Sequence, residues 1–296
     1  MPGSLIALLF LPLLIVNTVL FSSLIIVTMP LRFLMPTHGL RTRVAVLLIG
    51  MANLWCRLNN QVLFRLLPRI EWDIRLPEGL NRHSWYFVIA NHQSWVDIMV
   101  LFYTFTDRIP FLKYFLKQEL LYVPFWGQAM YALDYPFMKR YSKETLARHP
   151  ELKGKDTETT RRSCEKFRYT PVSVMNFLEG TRCTPQKQAQ QQSPYRHLLK
   201  PKAGGMAFTL SALGDQMHCL LDVTIVYPGG TPTFMDFCSG RLRRIVVRVH
   251  QREIPADAFT RDYETDAAFR EQFQAWTAGL WAEKDAEIGG LLGEPK

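Results

Sequence analysis

The stretch W-Y-F-V-I-A-N-H-Q-S-W-V-D, Trp85 to Asp97, runs an apolar segment straight into a polar turn. Six apolar residues rich in aromatic and β-branched side chains predict a strand, and the residues from Ser94 onward predict a helix. His92 stands five residues ahead of Asp97. On one continuous helix, positions five apart lie about 140° around the axis, so the two could not share a face there. The histidine therefore belongs to the turn before the helix. With Ser94 as N-cap, Asp97 falls in the first helical turn, where its carboxylate can fold back toward the imidazole. A carboxylate accepting from one ring nitrogen fixes the tautomer and leaves the other nitrogen free to take a proton. The same residues also fit a turn without chemistry, in which Asp97 favours the helix N-terminus and His92 closes a strand. An isolated H-x-x-x-x-D leaves both readings open.

Outward from this turn, short β-like runs alternate with helical ones, the pattern of an α/β domain whose mixed sheet is flanked by helices. Strands are predicted over Ser84–Ala90, Arg108–Lys113, Val172–Leu178, Cys219–Tyr227 and Arg244–His250. Helices are predicted over Ser94–Phe105, Gln118–Met130, Asp156–Tyr169, Gly205–Leu213 and a long C-terminal segment. In the last, Phe269, Phe273, Trp276 and Leu280 recur at helical spacing as a core-facing stripe. The glutamine-rich Thr184–Ser193 stretch reads as a polar loop.

Ahead of the domain, Met1 to Leu31 carries no charged residue, and Leu5–Met29 is long and apolar enough to cross the roughly 30 Å core of a bilayer. It is expected to be a transmembrane or deeply inserted helix. It lacks the basic flank and small-residue cleavage site of a secretory signal. Arg32, Arg41 and Arg43 come after it, which places the domain on the cytoplasmic side. Val44–Leu67 is apolar but interrupted by Asn53, Arg57, Asn59, Asn60, Gln61 and Arg65, and so is expected as an interfacial helix. Residues 1–67 are accordingly assigned to a membrane-anchoring segment and 68–296 to the α/β domain.

Composition excludes several function classes. The five cysteines, Cys56, Cys164, Cys183, Cys219 and Cys238, form no C-x-x-C pair and indicate neither a disulfide framework nor a zinc site. His92, His149, His197, His218 and His250 show no ligand spacing, so no metal is expected. A net charge of +9 on a membrane-attached chain points to anionic phospholipid head groups, and no zinc-finger, RNP-type or basic-zipper pattern supports nucleic acid as a partner. No G-x-S-x-G elbow of a serine lipase is present.

A second polar block, Phe177-Leu178-Glu179-Gly180-Thr181-Arg182, lies at the carboxyl end of the predicted strand Val172–Leu178. Ligands of open α/β sheets bind at strand carboxyl ends. Gly180 permits close approach of backbone to an anion, and Arg182 offers a planar fork suited to phosphate. Glu179 is expected to orient Arg182 or to contact substrate. The alternative is a surface turn with a structural Glu–Arg pair.

Together these blocks resemble the lysophosphatidic acid acyltransferase family of membrane glycerolipid acyltransferases. Asn91-His92-Gln93-Ser94-Trp95-Val96-Asp97 is similar to N-H-x-S-x-x-D. Leu116-Lys117-Gln118-Glu119-Leu120 with Val123-Pro124-Phe125-Trp126-Gly127-Gln128 is similar to L-K-x-E-L…P-F-x-G. Arg140 matches the arginine closing the second block, and residues 177–182 match F-P-E-G-T-R. Asp134, Lys139, Leu178 and Val223-Thr224-Ile225 depart from the usual pattern, and the segment from Tyr135 to Lys155 looks closer to the lysocardiolipin-type branch.

The resemblance implies a glycerolipid acyltransferase-like fold. It implies His92 and Asp97 as catalytic base and orienting acid, and substrate contacts at Arg140, Glu179, Gly180, Thr181, Arg182, Lys117 and Glu119. It further implies an acyl-CoA or acyl-carrier-protein co-substrate, no other cofactor, a lysophospholipid acceptor and an apolar channel for the acyl chain. A bacterial inner membrane is the expected location. A lipid hydrolase using the same dyad and a non-enzymatic adaptor binding anionic lipid are the competing expectations.

Overall fold

Tyr86–Ala90 forms a strand buried at every position, and alternation along it assigns the two faces of the sheet. Tyr86, Val88 and Ala90 belong to one apolar cluster, Phe87 and Ile89 to another. A computed structural model describes residues 3–61, 64, 67, 70–138, 148, 167, 170–214, 217 and 219–294. Its strands are β1 (Glu71–Arg75), β2 (Tyr86–Ala90), β3 (Leu112–Tyr114), β4 (Leu116–Lys117), β5 (Phe137–Met138), β6 (Ser173–Phe177), β7 (Cys219–Val226) and β8 (Arg244–Arg252). Six of them make one mixed sheet in the order β1-β8-β7-β2-β6-β3, antiparallel only between β7 and β8. Strands β4 and β5 form a separate parallel pair.

Helices α1 (Gly3–Thr28), α2 (Leu31–Leu34), α3 (His38–Gln61), α4 (Val96–Phe105) and α5 (Trp126–Ala132) come first along the chain. After them come α6 (Pro185–Gln191), α7 (Ala203–Leu213), α8 (Phe234–Cys238), α9 (Asp257–Thr260) and α10 (Ala267–Leu292). One face of the sheet is covered by residues of α1, α3, α4 and α5, the other by α7 and α10. Phe269, Phe273 and Leu280 of α10 are buried as expected, with Trp276 partly buried against them. Burying aromatics of this size contributes on the order of 2–3 kcal/mol each. Further along α10, Lys284 is also buried. It pairs with Asp222 at 2.5 Å and donates to the Val223 carbonyl at 2.6 Å, which compensates an otherwise costly charge.

Several expectations are corrected. The Arg108–Lys113 strand shrinks to β3, because the Arg108 and Ile109 amides still close the end of α4 on the Phe105 carbonyl. The Gln118–Met130 helix divides into a 3₁₀ turn, Gln118–Tyr122, and α5. Pro124 disfavours a helical residue before it, and Phe125 adopts φ +63°. The glutamine-rich loop is in fact α6: Thr184 accepts from the Lys187 amide, Pro185 occupies the first turn, and Gln192 closes the end in the left-handed region. Strand β1 escaped the sequence reading, being short, charged at both ends and held at the sheet edge. The expected helix Asp156–Tyr169 lies outside the described residues, Phe167 excepted.

Among the described residues, Gly3–Leu34 is the one stretch long and apolar enough to cross a membrane, by length and composition. It forms an antiparallel hairpin with α3, tied by Asn17 to Asn59 at 2.8 Å and Trp55 to Thr18 at 3.2 Å. One face of α1 is packed along its whole length: Ile6, Phe10, Leu14, Phe21 and Ile25 are buried. Phe10 meets Phe237 of α8 edge-on, and beyond the other end Arg32 pairs with Asp134 at 2.7 Å. The opposite face exposes Leu8, Leu13, Val16, Leu20 and Val27.

Candidate active site

The carboxyl ends of β2, β6 and β7 converge on His92. Directly after β2, Asn91 is fully buried, and its side-chain amide exchanges two 2.8 Å hydrogen bonds with the backbone of Ile225. The turn is thereby fixed to β7. Ser94 donates to the Pro232 carbonyl at 2.6 Å and accepts from the Val96 amide at 3.1 Å, which caps α4 two residues before its first helical position.

Asp97, in the first turn of α4, is buried and receives four donors. Its Oδ2 accepts from the Gln93 amide at 2.6 Å, the Ser94 amide at 2.8 Å and His92 Nδ1 at 2.8 Å. Its Oδ1 accepts from the Tyr227 hydroxyl at 2.6 Å. A carboxylate accepting from three other donors accepts from Nδ1 as well, so Nδ1 carries a proton and, in the neutral ring, the lone pair is on Nε2. The imidazole ring stacks on Phe177 at 3.9 Å between centroids, which fixes its plane. His92 lines a cavity of about 940 Å³. The sequence expectation that Asp97 folds back onto His92 is met.

The E-G-T-R turn meets the same residue from the other side. Glu179 is fully buried; Oε1 accepts the His92 amide at 2.8 Å and Oε2 the Leu199 amide at 2.9 Å. Burial pushes its carboxyl up to about 7, against the lowering effect of those two amides. Glu179 therefore does not orient Arg182, and both of its oxygens are engaged inside the fold; the expectation of a Glu–Arg pair or a substrate contact is corrected. The Gly180 amide donates to Phe177 and the Cys183 amide to the His92 carbonyl, so neither is open to a developing oxyanion. Gly180 adopts φ +68°, and a Cβ there would stand 3.1 Å from Lys202 Nζ. The Thr181 hydroxyl accepts from Lys187 of α6 at 2.6 Å.

Arg182 is exposed, with its guanidinium 5.0 Å from the Trp95 ring centroid. Gly180, Thr181, Arg182 and Lys117 share the cavity with His92. Glu119 is exposed on the 3₁₀ turn and is not part of that lining. Arg140 lies outside the described residues. Away from the cations the cavity walls are apolar, supplied by α1 (Leu14, Val19), α3 (Trp55), α4 (Met99, Phe102) and α5 (Met130). Among the described residues no group of three or more His, Cys, Asp or Glu is arranged to hold a metal.

Sequence reading missed Tyr227, the stacking of Phe177 and the part α1 plays in the cavity wall. Two of these left a trace beforehand: Tyr227 closes the strand predicted over Cys219–Tyr227, at the end where ligands of such sheets bind, and Phe177 opens the second polar block.

The Acyltransferase family model matches residues 72–232, more than half of the chain. Mouse 1-acyl-sn-glycerol-3-phosphate acyltransferase delta is 25% identical over 213 residues, covering 67% of this chain and 51% of that protein. An Arabidopsis thaliana relative, 1-acyl-sn-glycerol-3-phosphate acyltransferase 3, is 26% identical over 220 residues, covering 68% and 52%. The 2-acyl-1-lysophosphatidylinositol acyltransferase of Saccharomyces cerevisiae is 25% identical over 259 residues, covering 70% and 63%. The chain thus spans between half and two thirds of these relatives' lengths. The crystal structure of the 1-acyl-sn-glycerophosphate acyltransferase PlsC from Thermotoga maritima is 17% identical, with a TM-score of 0.54 over 95% of this chain and 96% of that one, which is a likeness of fold. By the extent of the family match, over residues that include both polar blocks of the site, the chain belongs to the Acyltransferase family.

Proposed function

We propose that the protein transfers a fatty acyl chain from an acyl thioester, acyl-CoA or acyl-carrier protein, to the sn-2 hydroxyl of lysophosphatidic acid. The observation that carries this is the 2.8 Å His92–Asp97 hydrogen bond at the wall of a largely apolar cavity that also holds Arg182. His92 Nε2 removes the acceptor's hydroxyl proton as its oxygen attacks the thioester carbonyl. Asp97 stabilises the imidazolium that forms. Collapse of the tetrahedral intermediate expels the thiolate, which takes the proton back from His92, so no covalent enzyme intermediate is needed. Arg182 holds the acceptor phosphate, with Lys117 and Arg140 as further cations, and the apolar walls take acyl chain.

The exposed apolar face of α1 supports attachment to a bilayer. The yeast, mouse and plant relatives lend no support to a bacterial inner membrane in particular. A second reading, transfer to another lysophospholipid, is favoured by the likeness to the yeast lysophosphatidylinositol enzyme.

The test is mass-spectrometric detection of diacyl product from labelled acyl-CoA or acyl-carrier protein with lysophosphatidic acid, lysophosphatidylinositol or lysocardiolipin, beside folded His92→Ala protein. Product from the parent alone supports the catalytic role of His92, and the acceptor giving the highest kcat/KM decides between the two readings. Product from neither protein with any acceptor sinks both.

A further inference from the structure

Tyr227 lies outside both polar blocks, yet among the described residues it makes the one hydrogen bond to the Asp97 carboxylate that does not come from the His92 turn. It comes directly after β7 and is 3% exposed. Its hydroxyl is aimed by local structure: two residues earlier, the Ile225 backbone is clamped to the Asn91 side chain, so the end of β7 and the turn carrying His92 move as one unit. The phenol donates to Oδ1 at 2.6 Å, a short bond of the charge-assisted kind. Oδ2 meanwhile serves His92 together with two backbone amides. The two oxygens are thus divided between two jobs. One receives the imidazole, and the other is held from a neighbouring strand.

We propose that Tyr227 is a positioning residue for the transfer reaction, fixing the Asp97 carboxylate through Oδ1 and drawing off part of its charge, so that Asp97 orients His92 without overbinding its proton. The hydroxyl stays a donor throughout the working pH range, because burial and the neighbouring Asp97 charge push the phenol well above its usual value. Other charged or titratable groups face the pair as well. Glu179 sits at the His92 amide, with Lys284 of α10 acting on it in turn, and the buried Tyr114 of β3 feels the Asp97 charge. Arg182 and Lys117 share the cavity. None of these is bonded to Oδ1 among the described residues.

The proposal rests on His92 being the base, so the experiment carries His92→Ala beside it. Full kcat/KM pH profiles are measured for the parent, Tyr227→Phe and Glu179→Gln, the last to identify the part of the profile that belongs to Glu179. Removing the phenol hydroxyl leaves more negative charge facing the imidazolium. The acid limb in Tyr227→Phe is therefore expected to move to higher pH, with plateau kcat down by roughly tenfold to a hundredfold, as for loss of one hydrogen bond to a charged group, and acceptor KM little changed. An unmoved limb with unchanged kcat in folded Tyr227→Phe overturns the proposal, as does a rise in KM alone. Should that variant fail to fold, 3-fluorotyrosine at position 227 decides: a more acidic phenol is a stronger donor and must move the limb to lower pH, and a limb that stays put overturns the proposal. Activity surviving in His92→Ala would instead overturn the assignment of the base.

Discussion

Glu179 holds the backbone of His92: its Oε1 accepts the His92 amide at 2.8 Å, while four residues further on the Cys183 amide donates to the His92 carbonyl at 2.7 Å. Both peptide groups of the proposed base are therefore fixed by the second polar block and the residue directly after it. The two blocks lie on the neighbouring parallel strands β2 and β6, whose last residues, Ala90 and Phe177, are directly paired. Block order along the sequence thus becomes side-by-side placement at one end of the sheet.

The buried Glu179 makes stability depend on pH. Its folded carboxyl is raised from 4.5 to about 7, so in that window the folded chain binds more protons than the unfolded one and stability falls as pH rises. At about 1.4 kcal/mol per unit, the fall contributed by this group is on the order of 3 kcal/mol. Glu179→Gln abolishes this contribution while leaving one of the two amides without an acceptor. Melting temperatures measured from pH 4.5 to 7.5 should decline more steeply for the parent than for the variant; parallel curves would remove Glu179 as the cause.

Asp97→Asn keeps the volume but replaces an acceptor with a group that must turn an amide donor toward either Tyr227 or the three N–H groups now on Oδ2. With its tautomer no longer enforced, His92 is expected to lose at least about a hundredfold in kcat, and KM should change little. Steady-state kinetics on protein with an unchanged circular dichroism spectrum checks this. A loss of less than threefold would mean that Asp97 serves only the fold of the turn.

Much of the site was legible because its chemistry is local: an imidazole and a carboxylate five residues apart, with a cap between them, specify their own geometry. Glu179 was misread for the opposite reason. Three residues before Arg182 in sequence, it looks like a partner for it, but the turn after β6 sends its carboxylate inward and leaves Arg182 on Trp95. Tyr227 lies 130 positions from Asp97, and only the sheet order brings them together. In the fold, β2 announced itself through continuous apolar character. Helix α6 hid behind a composition shared with loops, although Thr184-Pro185 is a good helix start and glutamine a fair helix former.

Arg182 has a flat aromatic face beneath it and an exposed guanidinium, a planar fork placed to bind two oxygens of a phosphate at the cavity rim. Arg182→Ala should raise KM for lysophosphatidic acid by about tenfold to a hundredfold, the range of one lost charge-assisted contact, and leave KM for the acyl donor within about twofold. Trp95→Ala should give a smaller rise in the same constant, since it removes the support and keeps the charge. If donor KM rises instead, Arg182 belongs to the thioester side of the site.

Helix α1 is expected to lie along the membrane face of the protein and not to cross the bilayer. Its buried stripe from Ile6 to Ile25 packs on the domain over the helix's length, and its two ends are held by different parts of that domain: Gly3 sits beside Ser239, and Arg32, just beyond Thr28, pairs with Asp134. A crossing helix would have to leave those contacts and expose Asn17, which is bonded to Asn59, to hydrocarbon at a cost of several kcal/mol. An in-plane helix keeps them and presents Leu8, Val16, Leu20 and Val27 to acyl chains. Epitope tags at the N-terminus and the C-terminus should therefore be cleaved together by protease added to the domain side of sealed vesicles. Protection of the N-terminal tag alone would establish a crossing, and the packing of α1 on the domain would then have to be given up.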